Sequence, residues 1–176
     1  MNESMDKYPI ENIDELKKVL FHDYLLIKKM RSPINNKIKL LSSLFSINPN
    51  SWRVTGITPA ALNLFKNHDF KKVSGMGINR SHIIQRHRFY KHLLEDNITN
   101  HETFWEQYYQ NDSTILATSS ENMAKGVLLT EIAIEVPADD RLLFRTAGFS
   151  WKHKDEEINF LKQLYNDLNL IESNHE

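Results

Sequence analysis

Apolar positions along the chain recur mostly at intervals of three and four residues. Ile13, Leu16, Leu20, Tyr24 and Ile27 make one such stripe, and Asn12 with Glu15 three residues on is a capping pair that opens it. The spacing predicts a helix from there through about Met30. Arg31–Asn36, with Pro33 inside it, reads as a turn. A second stripe (Ile38, Leu41, Leu44, Phe45) predicts a helix over about 36–47, broken by Asn48-Pro49-Asn50. Thr58-Pro59 sets a capping hydroxyl and a proline at the start of a short helix, Ala60–Lys66. Residues 1–66 are thus expected to form a helical N-terminal part.

The rhythm then changes. Residues 69–84 hold Gly75 and Gly77 and then Ile78-Asn-Arg-Ser-His-Ile-Ile84, a loop leading into a short strand. Arg86–Glu95 and His101–Gln110 read as helices, and the aromatic set Phe104, Trp105, Tyr108 and Tyr109 belongs with a core. Ser113–Thr118 is strand-like, and from Ser119 the pattern is helical at least to Gly126. Over Leu128–Val136 two readings stand: alternation of Ile132, Ile134 and Val136 fits a strand, and a helix running on to Pro137 fits too. Arg141–Trp151 is expected to be extended. A last helix, from about Asp155 to Leu168, has acids in its first turn and Ile158, Leu161, Tyr165 and Leu168 on one face. The fold class is α+β: a helix-rich single domain over 1–176, closing with a strand and a helix in 131–176.

Composition narrows the function. A chain of 176 residues and 20.7 kDa, 40% hydrophobic, is long enough for one real core. The absence of cysteine excludes a disulfide framework, a Cys-ligated zinc site, an iron–sulfur site and a thiol nucleophile. Apolar runs such as Val127-Leu128-Leu129 are too short to span a bilayer, and the first residues lack a basic start followed by an apolar stretch. The expected address is cytoplasmic, with no membrane partner. A net charge of −1 argues, at face value, against a nucleic-acid partner. Taken in blocks, however, residues 1–65 carry +3, residues 66–92 carry +6 and residues 93–176 carry −10. The central block also holds His68, His82, His87 and His92. Such a block suits phosphate contact, with Lys71, Lys72, Arg86 and Arg88 as DNA-binding candidates. It equally suits a solvated face paired with the acidic C-terminal part.

Several site types are excluded. Gly75-Met-Gly77 lacks the third glycine of a dinucleotide loop, and there is no phosphate-loop GK[ST], no HExxH helix and no G-x-S-x-G elbow. The histidines at 82, 87 and 92 are five apart, so they do not share a helical face. Two segments remain: Asn79-Arg80-Ser81-His82, on a strand behind a glycine-containing loop, and Ser113 through Gly126, a strand turning into a helix with Asn122, Lys125 and Gly126 near its end.

In that order the two segments resemble the His-Asn-His (HNH) nucleases and their relatives with a ββα metal fold. There a histidine on the first strand is the general base, a residue on the second strand braces the hairpin, and an Asn or His on the following helix holds a single divalent metal. The resemblance covers about residues 75–130. It implies a nuclease core over 67–130 with a helical insertion at 86–110, since 31 residues separate His82 from Ser113. It implies His82 as base, Arg80 or Lys125 as phosphate clamp, Ser113 in the bracing place and Asn122 as the ligand of Mg²⁺ or Mn²⁺. The implied activity is metal-dependent hydrolysis of double-stranded DNA, of restriction type, by a homodimer.

The chain departs from the family pattern at several points. No acid precedes His82, where the family often has a second protein ligand, and Gly126 stands where a histidine could follow Asn122. Thr118 and Glu121 occupy the places of the family's zinc cysteines, so no structural zinc is expected and apolar packing alone is expected to hold the unit. Simpler roles exist for each residue: His82 as a structural histidine, Asn122 as part of a helix start, Lys125 as a solvated lysine. Two other functions compete with the nuclease: a non-catalytic DNA-binding regulator, with a helix-turn-helix over Thr58–Ile84, and a protein–protein module using the acidic 93–176 part.

Overall fold

The stripe that follows Asn12 folds as its spacing predicts. The Asn12 side chain accepts from the backbone N–H groups of Asp14 and Glu15, and helix α1 runs Ile13–Lys29 with Leu16, Leu20 and Tyr24 buried. A computed structural model of the chain describes residues 12–46, 51, 53–141 and 155–173. In chain order the remaining elements are α2 (Ile34–Ser46), β1 (Arg53–Ile57), α3 (Pro59–Lys66), β2 (Ile78–His82), α4 (Arg86–Glu95), α5 (His101–Asn111), β3 (Ser113–Thr118), α6 (Ser119–Met123), α7 (Leu129–Ile132), β4 (Ile134–Glu135) and α8 (Asp155–Ser173), with a 3₁₀ turn at Ala138–Asp140. The fold is α+β. No described helix is long and apolar enough to cross a membrane.

Where one domain over 1–176 is expected, the contacts gather the chain into two compact units: Met1–Trp52 with Ile84–Ser113, and Arg53–Ile83 with Thr114–Glu176. The first is helical. In it α1 packs on α2 and α5, and α2 packs on α4. Its core joins Leu20, Tyr24, Leu41 and Phe45 to Tyr90, Leu93, Phe104 and Tyr108. The aromatic set therefore lies in a core, apart from Tyr109, which is exposed. The Tyr108 hydroxyl, fully buried, meets Ser51 Oγ and donates to Asp112 Oδ2 at 3.3 Å, so its burial leaves no polar group stranded.

The second unit contains a four-stranded sheet in the order β2-β3-β1-β4. β2 and β3 pair antiparallel with Ile78 opposite Thr118 and His82 opposite Thr114. β1 pairs antiparallel with β4 through Gly56–Glu135 and Ile57–Ile134. Val54, Ile57, Leu62, Phe65, Ile78, Leu116, Val136 and Leu161 form its core, with α3 lying on α8. Burying a side chain of this size fully contributes roughly 1.5–3 kcal/mol.

Four expectations need correction. Residues 1–66 are not all helical, because β1 lies within them; its residues are buried on both faces, so no polar–apolar alternation marks it. The helix after Ser119 stops at Met123, since Ala124 is extended and Gly126 takes φ 81°. The open choice over Leu128–Val136 resolves into both forms in turn, a four-residue helix and a two-residue strand. No helix-turn-helix is built over Thr58–Ile84, because α3 is followed by a loop and then by β2. The extended segment expected after Arg141 lies outside the described residues.

Candidate active site

The two segments singled out in the sequence come together as strand, helical insertion, strand and helix. β2 carries Asn79-Arg80-Ser81-His82, α4 and α5 follow, β3 returns beside β2, and α6 leaves directly from the end of β3. Thr118 starts α6 through a capping box. Its hydroxyl accepts from the Glu121 N–H, and a Glu121 carboxylate oxygen accepts from the Thr118 N–H at 2.8 Å.

The same carboxylate oxygen accepts from the hydroxyls of Thr118 and of Thr58, each at 2.8 Å, and Thr58 is itself the cap of α3. Thr118 and Glu121 are the two residues that the resemblance sets in the places of zinc cysteines. Here these two places hold a shared hydrogen-bonded cluster. That corrects the expectation of apolar packing alone: the Glu121 carboxylate ties the starts of two helices together.

Three further side-chain bonds fix α6 against β2 and the glycine before it. Asn79 Nδ2 donates to Ser119 Oγ at 3.0 Å, and Ser119 Oγ donates to the Gly77 carbonyl at 3.0 Å. Ser81 Oγ donates to Asn122 Oδ1 at 2.7 Å. Ser81 is 5% exposed, whereas Asn122 is open to solvent. Asn79 and Ser81 thus share the face of β2 that α6 covers. Alternation sends Arg80 and His82 to the other face, with Ile78. The residue brought to Asn122 is therefore Ser81, and His82 stands beside it in sequence as the last residue of β2, paired with Thr114 and half-buried.

The other named residues are distributed as follows. Ser113 is the buried first residue of β3. Lys125 is exposed just past α6, and Arg80 is partly buried on the His82 face. Of the DNA-binding candidates, Lys71 and Arg88 are exposed. Lys72 donates to the Ile78 carbonyl at 2.8 Å, and burial lowers its ammonium below the ordinary value. Arg86 donates to Ser42 and lies over the Tyr90 ring, 5.7 Å from its centre. These last two, both partly buried, make internal bonds.

The donor set defines what could be held. Asn122 Oδ1 and Ser81 Oγ are hard, neutral oxygens, and no group of three or more His, Asp or Glu gathers among the described residues. A pair of this kind fits an ion that keeps most of its own water, as Mg²⁺ does. Sequence reasoning overlooked Ser81, Asn79 and Ser119. The signal was present in the two-residue period of β2, which puts Asn79 and Ser81 on one face. Comparison of the chain with protein-family models, with curated proteins and with solved structures finds no match to any of them.

Proposed function

We propose that the protein is a metal-dependent endonuclease that hydrolyses phosphodiester bonds of double-stranded DNA, with a site of the HNH type on β2, β3 and α6. One observation carries the reading: the Ser81–Asn122 hydrogen bond of 2.7 Å. It lays the helix asparagine against the residue preceding His82, the position at which this family often has its second metal ligand. The strand–insertion–strand–helix order supports the same reading.

Asn122, with Ser81 holding its amide, would tether Mg²⁺ or Mn²⁺. When bound, such an ion supplies stabilisation of charge developing on the phosphate and on the leaving 3′ oxygen. The chain's own groups do the rest. A water attacking phosphorus must lose a proton, and in this reading the imidazole of His82, the last residue of β2, accepts it, which requires that side chain to turn from the face opposite Asn122 toward the ion. Lys125, exposed beyond α6, binds a phosphate oxygen, and Arg80 provides a second cation on the His82 side. In this reading the enzyme acts as a homodimer, one copy per strand.

The test is plasmid cleavage with Mg²⁺ or Mn²⁺. His82→Ala and Asn122→Ala are each expected to slow cleavage by about 10²-fold or more. An intact plasmid with the wild-type protein, or undiminished cutting by His82→Ala, rejects the proposal.

A further inference from the structure

A cavity of about 200 Å³ opens in the second unit, beside the Ser81–Asn122 pair. Its link to that pair follows from strand register. Ile115 lines the cavity and is the direct partner of Ser81 across the β2–β3 ladder, and side chains of a directly opposed antiparallel pair project from the same face. The cavity and the Ser81 hydroxyl are therefore neighbours on the face that α6 partly covers.

The lining has two characters. Ile83, Ile115 and Ala133 make apolar walls, and Ile83 is 46% exposed. Thr130, Glu135 and Arg141 are polar. Arg141 Nη2 lies 2.9 Å from Glu135 Oε1, and its Nε donates to the Val136 carbonyl at 3.2 Å. The arginine charge is thereby already answered, so the cavity does not present a bare cation to an anion. It presents apolar walls with donors and acceptors at their edge. That combination suits a flat, neutral, heteroaromatic group. The volume is below the roughly 300–1,000 Å³ of pockets for drug-sized ligands and suits one ring system.

We propose that this cavity receives a nucleobase of the substrate, the one adjoining the phosphate cut beside the ion that Asn122 would tether. The base lies against Ile83, Ile115 and Ala133 and hydrogen-bonds through Thr130 and the Glu135–Arg141 pair. The inference rests on the nuclease reading for its substrate, and it turns the cavity into a place where base identity is read one step from the cut.

Binding is measured apart from cleavage. Thymidine and deoxyadenosine are titrated into the metal-free full chain while the methyl resonances of Ile83, Ile115 and Ala133 are followed, with 2-deoxyribose 5-phosphate as the baseless control. Nucleosides are expected to shift these methyls with dissociation constants on the order of 1 mM, and Thr130→Trp, an exposed position that fills the mouth, is expected to weaken binding at least ~10-fold. Glu135→Ala with Arg141→Ala is a second variant that changes only the rim, and it is expected to weaken binding in the same direction. No methyl shift at nucleoside concentrations about 10-fold above that range, or equal shifts from the sugar phosphate, overturns the proposal. Methyl shifts in a protein that leaves plasmid intact would retain the base site and reject the nuclease; cleavage without the shifts would do the reverse.

Discussion

The two units bury polar groups in different ways. The helical unit is built on aromatic rings: Tyr24 and Phe104 stack with centres 4.7 Å apart, Phe45 and Tyr108 at 4.4 Å. It buries three phenols, those of Tyr24, Tyr90 and Tyr108, beside Ser51, Asp112 and Ser113, with Tyr24 donating to the Leu93 carbonyl at 2.7 Å and Tyr108 to Asp112. The sheet-containing unit has a mainly aliphatic core and buries short hydroxyls (Thr58, Ser81, Thr114 and Thr118), with Glu121 as the collector of three donors. Phenols bury a large apolar area along with one polar tip. Threonines and serines bury little, but they fix the starts and ends of elements. The first arrangement favours cohesion, and the second favours placing a few side chains with accuracy.

Substitutions can break this contrast, beginning with the most disruptive. Phe104→Ala removes a fully buried ring from the helical core and is expected to cost about 3–5 kcal/mol, read as a lower midpoint in urea denaturation. A loss below about 1 kcal/mol would deny the aromatic core its role.

Alkali should also strike the helical unit first. Burial, and after it the charge of Asp96, pushes the Tyr24 phenol up to about 12. Burial and Asp112 push Tyr90 up to about 12 as well, and the same two causes raise Tyr108. The folded state thus keeps protons that the unfolded chain gives up near the ordinary value of 10.0. Stability from Tyr24 and Tyr90 is level below pH 10.0 and falls as pH rises toward 12, by about 1.4 kcal/mol per pH unit for each of the two phenols. Denaturation at a series of alkaline pH values, followed by phenolate absorbance, checks this; phenols that ionise at their ordinary value in the folded protein would refute it.

Glu121→Ala removes the shared acceptor of Thr58 and Thr118 and is expected to cost about 1.5–3 kcal/mol, while Glu121→Gln, which keeps an amide oxygen, should cost less. Differential scanning calorimetry of the pair compares the two, and equal losses would mean that the charge matters rather than the acceptor. Asn79→Ala removes one exposed bond to Ser119 and should cost only about 0.5–1 kcal/mol by the same measurement.

Much of the fold could be read from the sequence. The limits of α4 follow from its helical spacing, and those of β3 from a short, largely apolar run set between the helix that ends at Asn111 and the capping residues after it. The cap at Thr58 and the strand–insertion–strand–helix order were legible too. β1 was not, because a five-residue strand buried on both faces and holding Gly56 has no alternation to detect. At the site, the residue types were visible one by one, yet the contact between Ser81 and Asn122 depends on where α6 starts and on the β2–β3 register. Those are properties of the folded sheet, which local spacing does not encode. The internal use of Lys72 and Arg86 was hidden for a similar reason: a cation's exposure is decided by which carbonyl or hydroxyl the fold brings to it.

The insertion of α4 and α5 between β2 and β3 also sets an order of events during folding. His82 and Thr114 pair although they are separated by the whole insertion, so the hairpin has no tight turn to nucleate it. Closing a flexible loop of about 30 residues costs roughly 3 kcal/mol of chain entropy beyond a constant term. Helices that collapse first shorten that search, because elementary helix formation is far faster than strand pairing. The late step in folding is therefore expected to be the zipping of β2 onto β3, the step that also brings Ser81 to Asn122. Folding intermediates would then carry native helices and an unassembled site.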